Sequence, residues 1–169
     1  EDVYGVYKLP AAYGLEVLPD DTLLIAALHS WPDDDGVRHN ASQLLVVSTE
    51  GQVVSRWPEQ PADATLKHPR VFGDRVAVVV GRSSDGPAPT DLPIGGVQLL
   101  TLPDLTPERA VITPALEPWF KQANVWEALD LDADHLLIGF GDGRLRVVDR
   151  AGADTLALST GAPVMAGDV

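Results

Sequence analysis

Cysteine is absent from the 169 residues. That absence excludes disulfides, thiolate metal sites and a cysteine nucleophile, and leaves the redox compartment unread. Lysine is scarce as well, with Lys8, Lys67 and Lys121 the whole supply. Against 12 lysines and arginines stand 25 carboxylates, for a net charge of −13. Such a surface repels phosphate backbones, which argues against nucleic acid as a partner. A basic protein or a divalent cation fits the charge, but an ordinary solvated acidic surface is the favoured reading. No apolar run reaches the roughly 20 residues that cross a bilayer as a helix. The longest, such as LLIAAL (23–28) and VAVVV (76–80), have the length of strands. Signatures of catalysis are missing too: there is no G-x-S-x-G, no S-x-x-K set, no H-E-x-x-H and no Gly-rich phosphate loop opening a helix.

What the chain has is one strand pattern written three times. In each copy an acidic turn leads into a very apolar strand, then a loop, a second apolar strand and a shorter third. The first copy has a short strand at 14–18, a turn at Pro19, Asp20 and Asp21, a long strand at 22–29, a polar loop at 31–41 and a strand at 43–49. A two-residue turn at Glu50 and Gly51 then leads back along 52–57. The second copy turns at Gly73 and Asp74, runs through RVAVVVGRS, crosses the long loop 84–95 and resumes as GVQLLTL. The third begins near Val125, turns at 132–134, and continues as HLLIGFG, RLRVVD and TLALST with tight turns at Asp142–Gly143 and Ala151–Gly152. Hairpin-linked groups of four strands are the unit of a propeller blade.

The pattern predicts an all-β chain. It reads as a single domain over 1–169 with about three four-stranded antiparallel blades, at approximately 14–58, 69–114 and 125–160. The turn aspartates Asp21, Asp74 and Asp134 lie 53 and 60 residues apart, wider than the roughly 40 to 50 of regular propeller repeats. The long loops and two linkers, PEQPADATLK and EPWFKQAN, account for the excess. Neither LLIAAL nor VAVVV alternates with polar residues, so both are expected to be buried on two faces. Because propellers close with about four to eight blades, the chain is expected to be part of a larger or partner-completed propeller. VYGVYKL near the start reads as an isolated strand and APVMAGDV at the end as the inner strand of another blade, the two combining into a thin fourth blade being the less favoured alternative. A two-sheet β-sandwich is the competing fold. The chain starts at Glu1 rather than Met, which suggests a segment removed or omitted ahead of it and leans slightly towards an exported or periplasmic protein.

Gly139, Asp142, Gly143, Asp149 and Gly152 punctuate the third copy in the order apolar strand, Asp-Gly turn, apolar strand ending in Asp, and Gly before the last strand. In this the copy resembles the repeat of the quinoprotein-like (PQQ-like) β-propeller superfamily. The likeness extends loosely to Ser48–Val54 and poorly to the second copy. The family's tryptophan docking pattern is missing, so the resemblance implies the fold and no quinone cofactor; no cofactor or metal is expected.

Individual residues weigh mostly towards structure. Asp130, Asp132 and Asp134 form a D-x-D-x-D series, but His135 stands where a calcium loop needs Gly and Gly141 where it needs Glu, which favours turn-forming aspartates. None of His29, His39, His68 and His135 has metal-site spacing, and His29 and His135 are expected at opposite ends of blade strands. Asn40-Ala41-Ser42 is an N-x-S sequon that chance explains. Trp31 and Trp57 each precede proline at a strand end, while Trp119, Phe120 and Trp126 flank a linker. Packing between blades is the expected role for these rings, and a recognition surface the alternative. The two long middle loops fall at the same point of the first two copies. The favoured function is therefore a non-catalytic scaffold that binds a protein partner, or further propeller blades, through a rim carrying Trp31, Asp33, Asp34, Asp35, Arg38, Asp85 and Asp91. The rival is a portion of a propeller enzyme, a hydrolase, lyase or oxidoreductase, with Glu16, Arg70 and Glu127 at a central channel.

Overall fold

A computed structural model of the chain describes residues 11–82, 91–112, 125–132, 134–149, 151 and 153–161. Twelve strands appear among them: β1 (Ala11–Val17), β2 (Leu23–Pro32), β3 (Arg38–Val47), β4 (Val53–Ala62), β5 (Ala64–Phe72), β6 (Arg75–Arg82), β7 (Gly96–Thr101), β8 (Thr106–Ile112), β9 (Val125–Asp132), β10 (His135–Phe140), β11 (Arg144–Asp149) and β12 (Asp154–Ser159). They form three four-stranded antiparallel sheets in the orders β1-β2-β3-β4, β5-β6-β7-β8 and β9-β10-β11-β12. Every strand pairs with its chain neighbour, which is the meander that short hairpins produce. The three sheets are all-β units consistent with propeller blades. The segments VYGVYKL and APVMAGDV, the linker EPWFKQAN with Trp119 and Phe120, and Asp85 lie outside the described residues.

The three hairpins of the first sheet share one turn. In each, a residue's N–H donates to the carbonyl four positions on, and the residue before that closes back on the first: Leu18 to Thr22 (2.8 Å), Asp33 to Val37 (2.8 Å) and Ser48 to Gln52 (2.8 Å). The third loop residue is left-handed in all three, Asp21 at φ 65°, Gly36 at 79° and Gly51 at 81°. Glycine takes that conformation without penalty, and aspartate more readily than most residues. Side chains finish the job: Thr22 N donates to Asp20 Oδ1, Val37 N to Asp33 Oδ1, and Gln52 N to Ser48 Oγ. The turn after Val47 is thus a three-residue loop, Thr49 to Gly51, rather than the two-residue turn expected at Glu50 and Gly51. The loop expected over 31–41 shrinks likewise. β2 and β3 stay paired out to Pro32 and Arg38, leaving only 33–37 as turn. PEQPADATLK is not a linker either, since β4 runs to Ala62 and β5 starts at Ala64.

The first strands of the three sheets stand side by side, with β5 packed against β1 on one side and β9 on the other. That puts the second sheet between its neighbours, and its residues show it. Val76 to Val80 in β6 and Gly96 to Leu100 in β7 are buried on both faces. Val76, Val78, Val80 and Leu100 pack in one cluster with Leu24, Ala26, Leu44, Val46 and Trp57 of the first sheet. Ala77, Val79, Val97 and Leu99 pack in another with Leu136, Ile138, Phe140 and Val148 of the third. Two separate cores flank one sheet, whereas a two-sheet sandwich would enclose a single core.

LLIAAL behaves differently from the expectation of two buried faces. Leu24, Ala26 and Leu28 are buried, while Leu23, Ile25 and Ala27 are only half-buried. Among the described residues the first sheet has a neighbouring sheet on one side alone, so the uninterrupted apolar run reports a face made for burial that these residues do not fully bury.

Polar contacts, two of them central, help to lock the first sheet to the second. Ser42, fully buried, donates from Oγ to Ala27 O (3.1 Å) and accepts from Leu66 N (3.0 Å). Leu66 lies on β5, a sheet edge, so its N–H points away from β6 and would otherwise be unpaired in the core. Ser42→Ala is expected to destabilise the fold by about 1–3 kcal/mol in urea unfolding, the cost of stranding a buried donor; a change within about 0.5 kcal/mol would contradict this role. The second contact is the ion pair Glu16–Arg70 (2.8 Å) between β1 and β5. Near it β1 and β5 approach so closely that a Cβ on Gly14 would collide with the Pro69 ring.

Candidate functional site

The outer end of the β2–β3 hairpin collects most of the chemistry of the described residues. Its backbone register sets Trp31 opposite His39 and Ser30 opposite Asn40. Strand alternation then sends Ser30 and Asn40 to the buried face and His29, Trp31 and His39 to the other. The buried pair is bonded internally: Ser30 Oγ donates to Asn40 Oδ1 (2.5 Å), and Asn40 Nδ2 reaches Thr65 Oγ1 (3.4 Å). Asn40, only 8% exposed, has no room for a glycan, so the sequon at Asn40 is a sequence coincidence.

On the other face the three rings form a row, Trp31 stacked on His39 and tilted against His29. Trp31 lies 5.3 Å from His29 and 5.8 Å from His39, centroid to centroid. His39 is also held by two carboxylates: its Nε2 meets Asp33 Oδ2 at 3.0 Å, and its Nδ1 meets Asp63 Oδ2 at 3.5 Å. Asp33 therefore has two tasks, one oxygen closing the turn and the other gripping the imidazole. Asp63, between β4 and β5, also accepts from Asn40 N (2.9 Å). Through Asp63, His39 ties this face of the hairpin to the β4–β5 junction.

The charges follow from these contacts. The hydrogen bond to Asp33 raises the His39 pKa above the ordinary imidazole value, with Asp63 adding to it against partial desolvation. The same bond to His39, with the Val37 N–H, lowers the Asp33 pKa. The signs combine into a window. The His39 contribution to stability is complete below the usual imidazole pKa and is lost as pH rises through the raised one, while that of Asp33 is present above the usual carboxylate pKa and is lost as pH falls through the lowered one. The triad is tightest in mildly acidic solution. In an NMR titration Asp33→Asn should move the His39 midpoint downward and Asp34→Asn should leave it in place; equal effects from both would refute the Asp33 grip.

Other expected rim residues are placed as follows. Asp34 and Asp35 are exposed at the tip of the turn, and Asp91 is exposed on the approach to β7. Arg38 pairs through its backbone with Pro32, beside them. Asn40 touches Thr65, Thr65 pairs with Gly81 at the end of β6, and Gly95 N donates to Val80 O (2.6 Å), so the β2–β3 turn and the β6–β7 connection open at the same end of the two sheets. His29, His39 and Asp63 were not among the expected rim residues. The period of two along 29, 31 and 39 was the available signal for the rings. Asp63 had none, because it sits in what reads as a linker.

The remaining candidates resolve into structure. Asp132 accepts from Asp134 N (2.7 Å) and meets His135 Nδ1 at 2.9 Å, closing the β9–β10 turn. Trp57 is buried in the core between the first two sheets. Glu16 and Arg70 form an ion pair through Arg70 Nη1, while the buried Arg70 Nε has no acceptor among the described residues. Glu127 pairs with Gly139 through the backbone of β9 and β10.

No family model matches the chain, and no curated protein matches it. Among solved structures it is similar to BamB from Moraxella catarrhalis, at 15% identity and a TM-score of 0.46 over 89% of this chain. The chain spans about half the length of that protein, 52%.

Proposed function

We propose that the chain is a non-catalytic, propeller-like scaffold whose β2–β3 rim binds a protein partner that presents a cationic segment. The supporting observation is the fixed row His29–Trp31–His39 beside the exposed Asp34 and Asp35. An aromatic face next to carboxylates suits a lysine or arginine side chain, which can stack on the ring while its charge meets the acids. Asp91 at the same end and the net charge of −13 add long-range attraction for a basic partner. Because Asp33 and His39 are already held by hydrogen bonds, that part of the rim needs little ordering on binding.

The test is titration with a short peptide alternating arginine and glycine, followed by NMR shifts of the Trp31 indole and the 33–37 amides. Binding there that weakens about tenfold or more in Trp31→Ala, and again in Asp34→Lys, supports the rim. Shifts spread evenly over the acidic surface, unchanged in both variants, would sink it.

A further inference from the structure

We infer that two copies of this chain close on one another, the free face of the first sheet in each covering the free face of the third sheet in the other. The first sheet carries two apolar rows on its outer side. Leu15, Ile25 and Leu45 align across β1, β2 and β3, and Val17, Leu23, Val47 and Val53 across all four strands. The third sheet carries a matching pair: Leu137, Val147 and Leu156 in one row, Leu145 and Leu158 in the next. The outer members of these rows stand in water, while Leu23, Ile25, Leu45, Val47, Leu137 and Leu145 are half-buried and Val147 is buried. Leu15 and Val17 are 57% and 64% exposed, Leu156 and Leu158 49% and 54%.

The chain itself shows what covers such a face. The inner face of the first sheet is covered by the second sheet, and the far face of the second by the third, each time with an apolar layer on both sides. Continuing that relation once more, the far face of the third sheet requires the free face of a first sheet. Among the described residues one face of each kind stays uncovered, and a second copy supplies both partners at once. Two copies bring six sheets, within the about four to eight that close a propeller. The contact is head-to-tail at each junction yet finite, because the second junction uses up the last free faces. The charge of −13 on each copy opposes the approach, so salt should strengthen association.

Sedimentation equilibrium of the 169-residue chain in 0.05 and about 0.5 M salt tests this. The expected result is a species of twice 18.0 kDa, favoured by the higher salt. Leu15→Asp with Val17→Asp, or Leu156→Asp with Leu158→Asp, should weaken the dimer about a hundredfold or more, since each places charge in an apolar junction. Mixing the two variants should restore a heterodimer through the one junction in which both faces are intact. A wild-type monomer at all concentrations overturns the inference, and so does growth beyond the dimer, which would mean the ring does not close. A dimer indifferent to the third-sheet variant also overturns it, since first sheets would then pair with each other. Should a variant fail to fold, the wild-type mass still decides.

Discussion

Truncating Leu99 to alanine is expected to cost about 2–5 kcal/mol in urea unfolding, the range for deleting a buried leucine from a core that cannot collapse onto the void. Leu99 is fully buried and belongs to the cluster shared with Leu136, Ile138, Phe140 and Val148. The loss therefore falls on the junction of the second and third sheets. Hydrogen exchange should accelerate first in β10 and β11, with β2 and β3 least affected. An even acceleration across all three sheets would show that the two cores are one.

Leu100→Ala should cost a similar amount, about 2–5 kcal/mol, at the opposite junction. Leu100 is the next residue along β7, is also fully buried, and packs with Leu24, Leu44 and Val46 of the first sheet. Its truncation should loosen β2 and β3 and spare β10 and β11. Adjacent residues with opposite regional effects are a consequence of a sheet covered on both sides. In a two-sheet sandwich one of the pair would face solvent, and its replacement by alanine would change stability by only about 0.5 kcal/mol. That outcome for either residue contradicts the stacked arrangement.

Hairpins and strand order were legible in the sequence because they rest on local chemistry: Asp, Gly and Ser at turns, and apolar runs of strand length between them. The three-sheet organisation followed from the repetition of that pattern. What was not legible depended on neighbours in space. LLIAAL and VAVVV read alike, yet only VAVVV lies in a sheet with a neighbour on each side, and no local signal separates them. The extension of β2 and β3 past Trp31 and His39 was hidden because a polar sequence there looks like loop. Ring stacking and the Asp33 and Asp63 contacts hold it as strand. Of the rim, Trp31 and Asp33 were accessible from residue type and position. The part played by Asp63 was not, since it comes from the junction with the next sheet.

The stacked order of the sheets is most directly tested by residue-resolved hydrogen exchange of the native chain. The amides of Val76–Val80 in β6 and Val97–Leu100 in β7, buried on both faces, should be the last to exchange, opening only with global unfolding. Slowest exchange in β2 and β10 instead, with β6 and β7 opening earlier, would contradict a central second sheet.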